Sequence, residues 1–326
     1  VQIGTKEYRQ ANIEQMLKWT LDDKIIHAKK RIVEFYEQLD GKVYIAYSGG
    51  KDSTVLLDLV RSIYPDAIAV FSNTTNELPE ILDHVRNTEN VTWVNPKMNF
   101  NQTIEKYGFP LLSKMTARKI GDIKHKGTTL TTTLYSTGIN SKGKYSPTMK
   151  IANKWKFLTK EDFDITGKCC DILKKEPMGR FAKESGLSPI IGTQTSESDG
   201  RKVGWIKQGC NYFSQKENTC KPLSIWTEKD IWDYIRINNI SYSTAYDNVV
   251  DQDGNIIAYG EVRTGCAYCA FGAHLEKPDA NGDKRFDRLA KRKPHQFKKM
   301  MQLENNGKSF EFALSKIGID VSKYTK

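Results

Sequence analysis

The stretch Val43-Tyr44-Ile45-Ala46-Tyr47-Ser48-Gly49-Gly50-Lys51-Asp52-Ser53-Thr54-Val55-Leu56-Leu57 decides the fold. Its first five residues form a continuous apolar run, the pattern of a short strand buried on both faces. From Thr54 to Ile63, the residues Val55, Leu56, Leu57, Leu59 and Val60 recur at helical spacing. Between the two lies Ser48–Ser53, where paired glycines let the backbone turn sharply and approach a ligand closely. The following helix offers unsatisfied first-turn amides and the positive end of its dipole. Strand, glycine turn and helix N-terminus in that order make a phosphate site. Ser48, Lys51 and Ser53 add donors, and Asp52 is placed to orient the loop or to hold Mg²⁺. The loop is not of the Gly-x-x-x-x-Gly-Lys-Ser/Thr type; the one Gly307-Lys308-Ser309 triplet has Gln302 where that pattern needs its first glycine.

Outward from this stretch the periodicity predicts a helix over residues 6–39, stopped at Gly41. It then predicts strands over 67–72 and 91–94 with a helix over 79–87 between them. Strands alternating with helices imply an α/β fold, a mostly parallel sheet with flanking helices. Residues 171–185 and 227–238 read as further helices and 189–192 as a further strand. Asp251-Gln252-Asp253-Gly254-Asn255, between Val249-Val250 and Ile256-Ile257, reads as a hairpin turn. It lacks the later glutamate that a calcium loop needs. Residues 283–301 read as a basic helix broken at Pro294, and the Thr- and Lys-rich stretch 120–160 as an irregular, mobile insertion. The expected organisation is an N-terminal helical segment over 1–40, a nucleotide-binding α/β domain over 41–226 with a basic insertion at about 111–160, and a C-terminal region over 227–326.

Of 326 residues, 38% are hydrophobic and 10% aromatic, which is enough core material to exclude global disorder. No run of about 18 apolar residues exists, so no membrane span is expected. Val1–Glu7 carries no apolar leader core, and a cytoplasmic location is expected. The net charge of +11 is local. Residues 111–160 hold 11 Lys or Arg against one acid, Asp122, and residues 284–299 hold eight against Asp287, so the rest of the chain is net acidic. Two such segments suit a nucleic acid or another phosphate-bearing partner, and equally suit a solvated lysine surface. His125 and His295 lie among lysines with nothing to mark them as catalytic. The six cysteines are Cys169, Cys170, Cys210, Cys220, Cys266 and Cys269. In a reducing compartment such a cluster binds metal or does chemistry more often than it forms disulfides.

Ser48-Gly49-Gly50-Lys51-Asp52-Ser53 resembles the PP-loop of the ATP pyrophosphatase superfamily, whose fold is adenine nucleotide alpha hydrolase-like. The resemblance runs from about residue 41 to 275. Phe71-Ser72-Asn73-Thr74 with Glu77-Leu78-Pro79-Glu80 is similar to the second-strand segment of the PAPS reductase family, with Asn73 standing where that family usually has an acid. Lys106-Tyr107-Gly108-Phe109-Pro110 with Ser113-Lys114, and Ile191-Gly192-Thr193 with Glu197-Ser198 and Arg201, fit the same family. The resemblance implies an adenine nucleotide, ATP or an adenylyl relative, held by residues 48–53 and Arg201, with Lys51 and Asp52 acting in catalysis.

Cys169-Cys170 and Cys266-Ala267-Tyr268-Cys269 look like the two cysteine pairs of the iron–sulfur members. This implies a [4Fe-4S] cluster on Cys169, Cys170, Cys266 and Cys269, with zinc or unligated buried thiols as the alternatives. Cys210 either replaces one of the adjacent pair as ligand or acts as a catalytic thiol, and Cys220 is read as a bystander. The reductases attack sulfate sulfur with a cysteine in a C-terminal tail, whereas the last cysteine here is Cys269. The combination looks more like the Dnd-type sulfurtransferases of DNA phosphorothioation. The expectation is therefore an ATP- and Mg²⁺-dependent sulfurtransferase that adenylylates its acceptor and takes sulfur from a donor protein. The alternatives are a phosphoadenylyl or adenylyl sulfate reductase using an external thiol, and a non-catalytic nucleotide- and cluster-binding partner. Members of the family often pair, so a homodimer is also implied.

Overall fold

The computed structural model describes residues 5–326, so residues 1–4 of the expected N-terminal segment lie outside the described residues. The chain forms two compact units. The first comprises the residues up to Asn73, Pro79–Asn95 and Pro177–Thr244. The second comprises Thr74–Leu78, Pro96–Glu176 and the chain from Ala245 onward.

The first unit is built on a six-stranded sheet. Its order is Val91–Val94, Ala69–Ser72, Val43–Tyr47, Ser188–Ile191, Thr219–Cys220, Asn211–Tyr212. The first five strands run parallel and only Asn211–Tyr212 is antiparallel. Val43–Tyr47 sits centrally, with Ile45 opposite Ala69 on one side and Ile190 on the other. Ala69–Ser72 and Val91–Val94 lie on one side of Val43–Tyr47 and Ser188–Ile191 on the other, so the strand order reverses at Val43–Tyr47, whose end is the switch point where open α/β sheets bind ligands. The helix Lys51–Arg61 covers the sheet with Val55, Leu56, Leu59 and Val60, all fully buried. The expected long N-terminal helix is two helices, Lys6–Met16 and Leu21–Gln38. Thr20 caps the second by accepting from the Asp23 amide at 3.2 Å, a side-chain bond that hydrophobic periodicity does not register.

The second unit has an aromatic core. Phe109 stacks on Phe310 with ring centroids 5.2 Å apart, and Phe163, Phe286 and Phe297 pack around them, all almost fully buried. The stretch expected to be irregular is largely ordered. It contains the helices Lys114–Lys126 and Leu130–Thr137, then a turn and the 3₁₀ segment Asn153–Thr159. Ser113 and Thr129 supply the N-caps, Thr129 in a reciprocal box with Thr132, and Gly127 and Gly138 end the helices at positive φ. Threonines that lower helix propensity in the interior here serve as caps. The hairpin at 249–258 and the helix break at Pro294 follow the sequence reading.

The basic segment 284–299 is partly neutralised within the unit. Arg288 is buried against Glu261 at 3.2 Å, Glu276 at 2.8 Å and Asp279 at 3.4 Å, and Lys291 pairs with Asp283. Among the described residues no helix is long and apolar enough to cross a membrane.

Candidate functional site

The loop after the central strand is held closed by its own hydroxyls. Ser53 Oγ donates to the Gly50 carbonyl at 2.9 Å and accepts from the Ser48 amide at 3.1 Å, and it lies 3.1 Å from Ser48 Oγ. Gly49 adopts φ +71°, and a Cβ there would stand 2.6 Å from Val85 Cγ2, so both dihedral and space demand glycine. Gly50 caps the helix without a side chain, and the positive end of the helix dipole faces the loop. Lys51, the first helical residue, is buried, with Nζ 3.4 Å from Glu228 Oε1. Asp52 is fixed by Gln194, whose amide donates to Oδ1 at 2.6 Å. Gly192 lies flat against Asp52, where a Cβ would come within 3.1 Å of its carbonyl oxygen.

Gln194 also lines a cavity of about 400 Å³ with Thr193, Ser198, Arg201, Lys221 and Ser224. Two cations, Arg201 and Lys221, and several hydroxyls lie on its wall. Arg201 is held there by an ion pair with Glu197. Residues 48–53 and Arg201, the set expected to bind nucleotide, lie in the same unit and are linked through Gln194, which bonds Asp52 and lines the cavity with Arg201. Gln194 and Glu228 were not singled out from sequence. They act on the loop from 142 and 177 positions away, and only the fold supplies those pairings.

Cys210 lies in the same unit and is buried. Its sulfur accepts from Trp205 Nε1 at 3.3 Å and lies 3.6 Å from His27 Nε2. Burial pushes its thiol up, keeping it protonated at neutral pH, and burial with nearby Arg31 and Lys30 pushes His27 down to about 4. Cys220 is fully buried and its sulfur lies 3.8 Å from the Arg31 carbonyl.

Cys169, Cys170, Cys266 and Cys269 all belong to the second unit. Cys169 and Cys170 share a hydrogen bond that raises the first thiol and lowers the second, to about 6, where Lys114 and Lys174 add to the effect. The charge felt by Lys174 comes first from Cys266 and then from Glu77, Cys170 and Cys269, and it raises that ammonium.

The turn Cys266–Cys269 is gripped by Thr74–Glu77. The Ala267 amide donates to the Asn76 carbonyl at 2.6 Å, the Tyr268 amide donates to Asn76 Oδ1 at 3.2 Å, and Thr74 Oγ1 lies 3.7 Å from Cys266 Sγ. Glu77 folds the grip by accepting from the Thr74 amide at 3.2 Å and the Asn76 amide at 3.3 Å. Thr75 within it sits at φ +61°, a strained position for a β-branched residue. Asn76 is buried, and among the described residues its Nδ2 has no hydrogen-bond partner. Since Oδ1 is committed to an amide, the orphan is a true donor rather than a flipped oxygen. Among the described residues, no three His, Cys, Asp or Glu side chains are grouped to hold a metal ion.

A parallel sheet with a glycine loop and helix N-terminus at its switch point defines a nucleotide-binding α/β protein of the PP-loop, adenine nucleotide alpha hydrolase-like class. The chain belongs to the phosphoadenosine phosphosulfate reductase domain family, whose sequence profile matches residues 42–124 and 120–270. It is similar to the adenosine 5′-phosphosulfate reductase of Anoxybacillus flavithermus, 24% identical over 277 residues, covering 84% of this chain and 92% of that one. It is 30% identical to sulfate adenylyltransferase subunit 2 of Vibrio vulnificus over 240 residues, 71% of this chain and 70% of that one. An uncharacterized protein of Methanocaldococcus jannaschii is 24% identical over 288 residues, 83% of this chain. The chain spans about half, 53%, of that relative's length.

Proposed function

We propose that the chain reduces an adenylyl sulfate, with an external dithiol as reductant. The observation that carries this reading is the closed 48–53 loop, with Lys51 at a helix N-terminus and Gln194 joining Asp52 to the Arg201 cavity. Kinship with adenylyl sulfate reductases over most of the chain supports the choice of nucleotide. A thiolate from the external dithiol attacks the sulfate sulfur, and the S–O bond to the nucleotide phosphate breaks. The second thiol then displaces sulfite, leaving a disulfide. The adenylate phosphate gains charge as it departs, and the first-turn amides and Lys51 stabilise that charge. Arg201 and Lys221 hold a further anionic group of the nucleotide.

Cys169, Cys170, Cys266 and Cys269 would hold a [4Fe-4S] cluster. The thiols sense one another's charge, and the buried orphan Nδ2 of Asn76 in the grip on the Cys266–Cys269 turn suits a sulfur acceptor. When bound, the cluster would supply a fixed electrostatic centre and cross-link the two cysteine segments.

The second reading is the ATP- and Mg²⁺-dependent sulfurtransferase. It is favoured by Cys210, whose sulfur is bonded by Trp205, a wall residue of the Arg201 cavity. In that reading Asp52 helps hold Mg²⁺, and a donor protein loads Cys210 with sulfur. One assay separates the readings. Sulfite released from adenylyl or phosphoadenylyl sulfate with dithiol present establishes the reductase. Pyrophosphate released from ATP only with an acceptor establishes the sulfurtransferase. Tight nucleotide binding with neither product would leave a non-catalytic partner and reject both.

A further inference from the structure

The lysines of the first basic segment fall into two groups. Lys114, Lys124 and Lys126 are ion-paired with Asp171, Asp164 and Asp122, and Lys119 is buried and donates to the Thr148 carbonyl. These hold the unit together. The remainder, Lys142, Lys144, Lys150, Lys154, Lys156 and Lys160, lie in a stretch with no acid between Asp122 and Glu161. Lys142 and Lys144 are exposed and have no ion-pair partner among the described residues.

They stand at the tip of a tight turn. Asn140 Oδ1 accepts from the Lys142 and Lys144 amides, both at 3.0 Å. The Asn140 amide donates to the Lys144 carbonyl at 3.0 Å, and Ile139 bridges Tyr145. The turn is therefore a fixed structure and not a loose lysine loop. It presents Tyr145, which remains 55% exposed. One side of that ring lies on Gly138, where a Cβ would stand 2.6 Å from Tyr145 Cε2, and Lys150 Cβ lies beside it. Gly138 is both the left-handed helix stop and the bare surface on which the ring rests. An aromatic ring held by backbone with much of its surface in water contributes nothing to the core, and it loses little entropy on binding.

We propose that the turn Gly138–Ser146 is a binding surface for single-stranded nucleic acid, with a base stacking on Tyr145 and adjacent phosphates on Lys142, Lys144 and Lys150. Charge complementarity selects a polyanion, and the ring selects one with unstacked bases. Duplex leaves no base face for Tyr145, and an acidic peptide has no base to stack. The proposal requires neither nucleotide on the 48–53 loop nor a cluster on the four cysteines.

The test is fluorescence anisotropy of labelled 15-nucleotide dT and rU strands, a duplex of the same length, and unlabelled polyphosphate as competitor. Single strands are expected to bind more tightly than duplex, and dT against rU shows whether DNA or RNA is preferred. Tyr145→Ala should weaken binding by about 5- to 150-fold, the usual worth of one stacked base, and Tyr145→Phe should retain it. Lys142→Gln with Lys144→Gln should reduce the salt slope by about 1.4. Lys142 and Lys144 are exposed, so their substitution should not move the melting temperature, and Tyr145→Phe keeps the ring on Gly138. Binding no tighter to single strands than to duplex, binding fully competed by equal polyphosphate charge, or Tyr145→Ala equal to wild type would each overturn the proposal.

Discussion

Lys51 and Gln194 act on the same loop in different ways, and substitutions separate them. In the proposed reaction Lys51 would bring charge to the nucleotide phosphate, whereas Gln194 holds Asp52 from the neighbouring strand end. Lys51→Ala should lower turnover by about 10²–10³-fold, the typical cost of deleting one preorganised charge donor. Gln194→Ala should weaken nucleotide binding more than it lowers the maximal rate, because it releases an orienting contact. Steady-state kinetics and nucleotide titration on the two variants check this, and equal effects on both parameters in both variants would refute the division. His27 supplies a pH prediction at the same scale. Its folded pKa is depressed to about 4 from 6.5 by burial. Between these values the unfolded chain binds the proton and the folded chain does not, so stability is present above pH 6.5 and is lost as pH falls towards 4. The loss amounts to about 2–3 kcal/mol. His84, lowered in the same direction by burial, adds to it. Urea melts at pH 7 and pH 4.5 should show a smaller acid loss in His27→Gln than in wild type.

At the scale of elements, the two helices Leu21–Gln38 and Glu228–Ile237 are joined by a buried ion pair. Lys24, 1% exposed, donates to Asp230 Oδ2 at 2.7 Å and to the Leu17 carbonyl at 2.8 Å. Asp230 also accepts from the Thr227 amide and so closes a capping box. Lys24→Met leaves Asp230 without its counter-charge and should cost about 3–5 kcal/mol, although the volume is nearly conserved. Chemical denaturation measures it; a loss below 1 kcal/mol would show that water compensates the carboxylate. This pair also marks where sequence reading stops. The strand–loop–helix at 43–61 was legible because each part is set by neighbours in the chain: an apolar run, a glycine with no room for Cβ, then helical periodicity. The stretch 120–160 reads as irregular in sequence because Thr128–Thr133 lowers helix propensity, while capping by Ser113 and by the Thr129–Thr132 box rests on a few side-chain hydrogen bonds. Gln194, Glu228, Asn76 and the Lys24–Asp230 pair depend on contacts between distant segments, which no local pattern encodes. At the second candidate site the cysteines themselves were visible from sequence. The Thr74–Glu77 grip on them was not, although Thr74 and Glu77 lay in a recognised motif.

Over the whole molecule, the loop and Arg201 belong to one compact unit and the four cysteines to the other. Ligands at the two sites should therefore protect different backbone segments. A ligand that binds only the native state adds RT ln(1 + [L]/Kd) to the stability of what it holds, about 2.7 kcal/mol at a hundredfold excess over Kd. In hydrogen–deuterium exchange, saturating nucleotide should slow exchange in residues 48–54 and 192–201, where the loop, Gln194 and Arg201 lie. Reconstitution with iron and sulfide should slow exchange in 74–77, 169–175 and 266–269, where the grip and the four thiols lie. In 266–269 the Ala267 and Tyr268 amides are already bonded to Asn76 and the Cys269 amide to the Cys266 carbonyl, so further slowing there on reconstitution reports ligation of the turn itself. Protection of 48–54 by nucleotide in a Cys266→Ser variant would show that the nucleotide site stands without the cluster ligands. Loss of that protection in the variant would show that the two sites are one cooperative system, and would reject the assignment of independent ligand linkage.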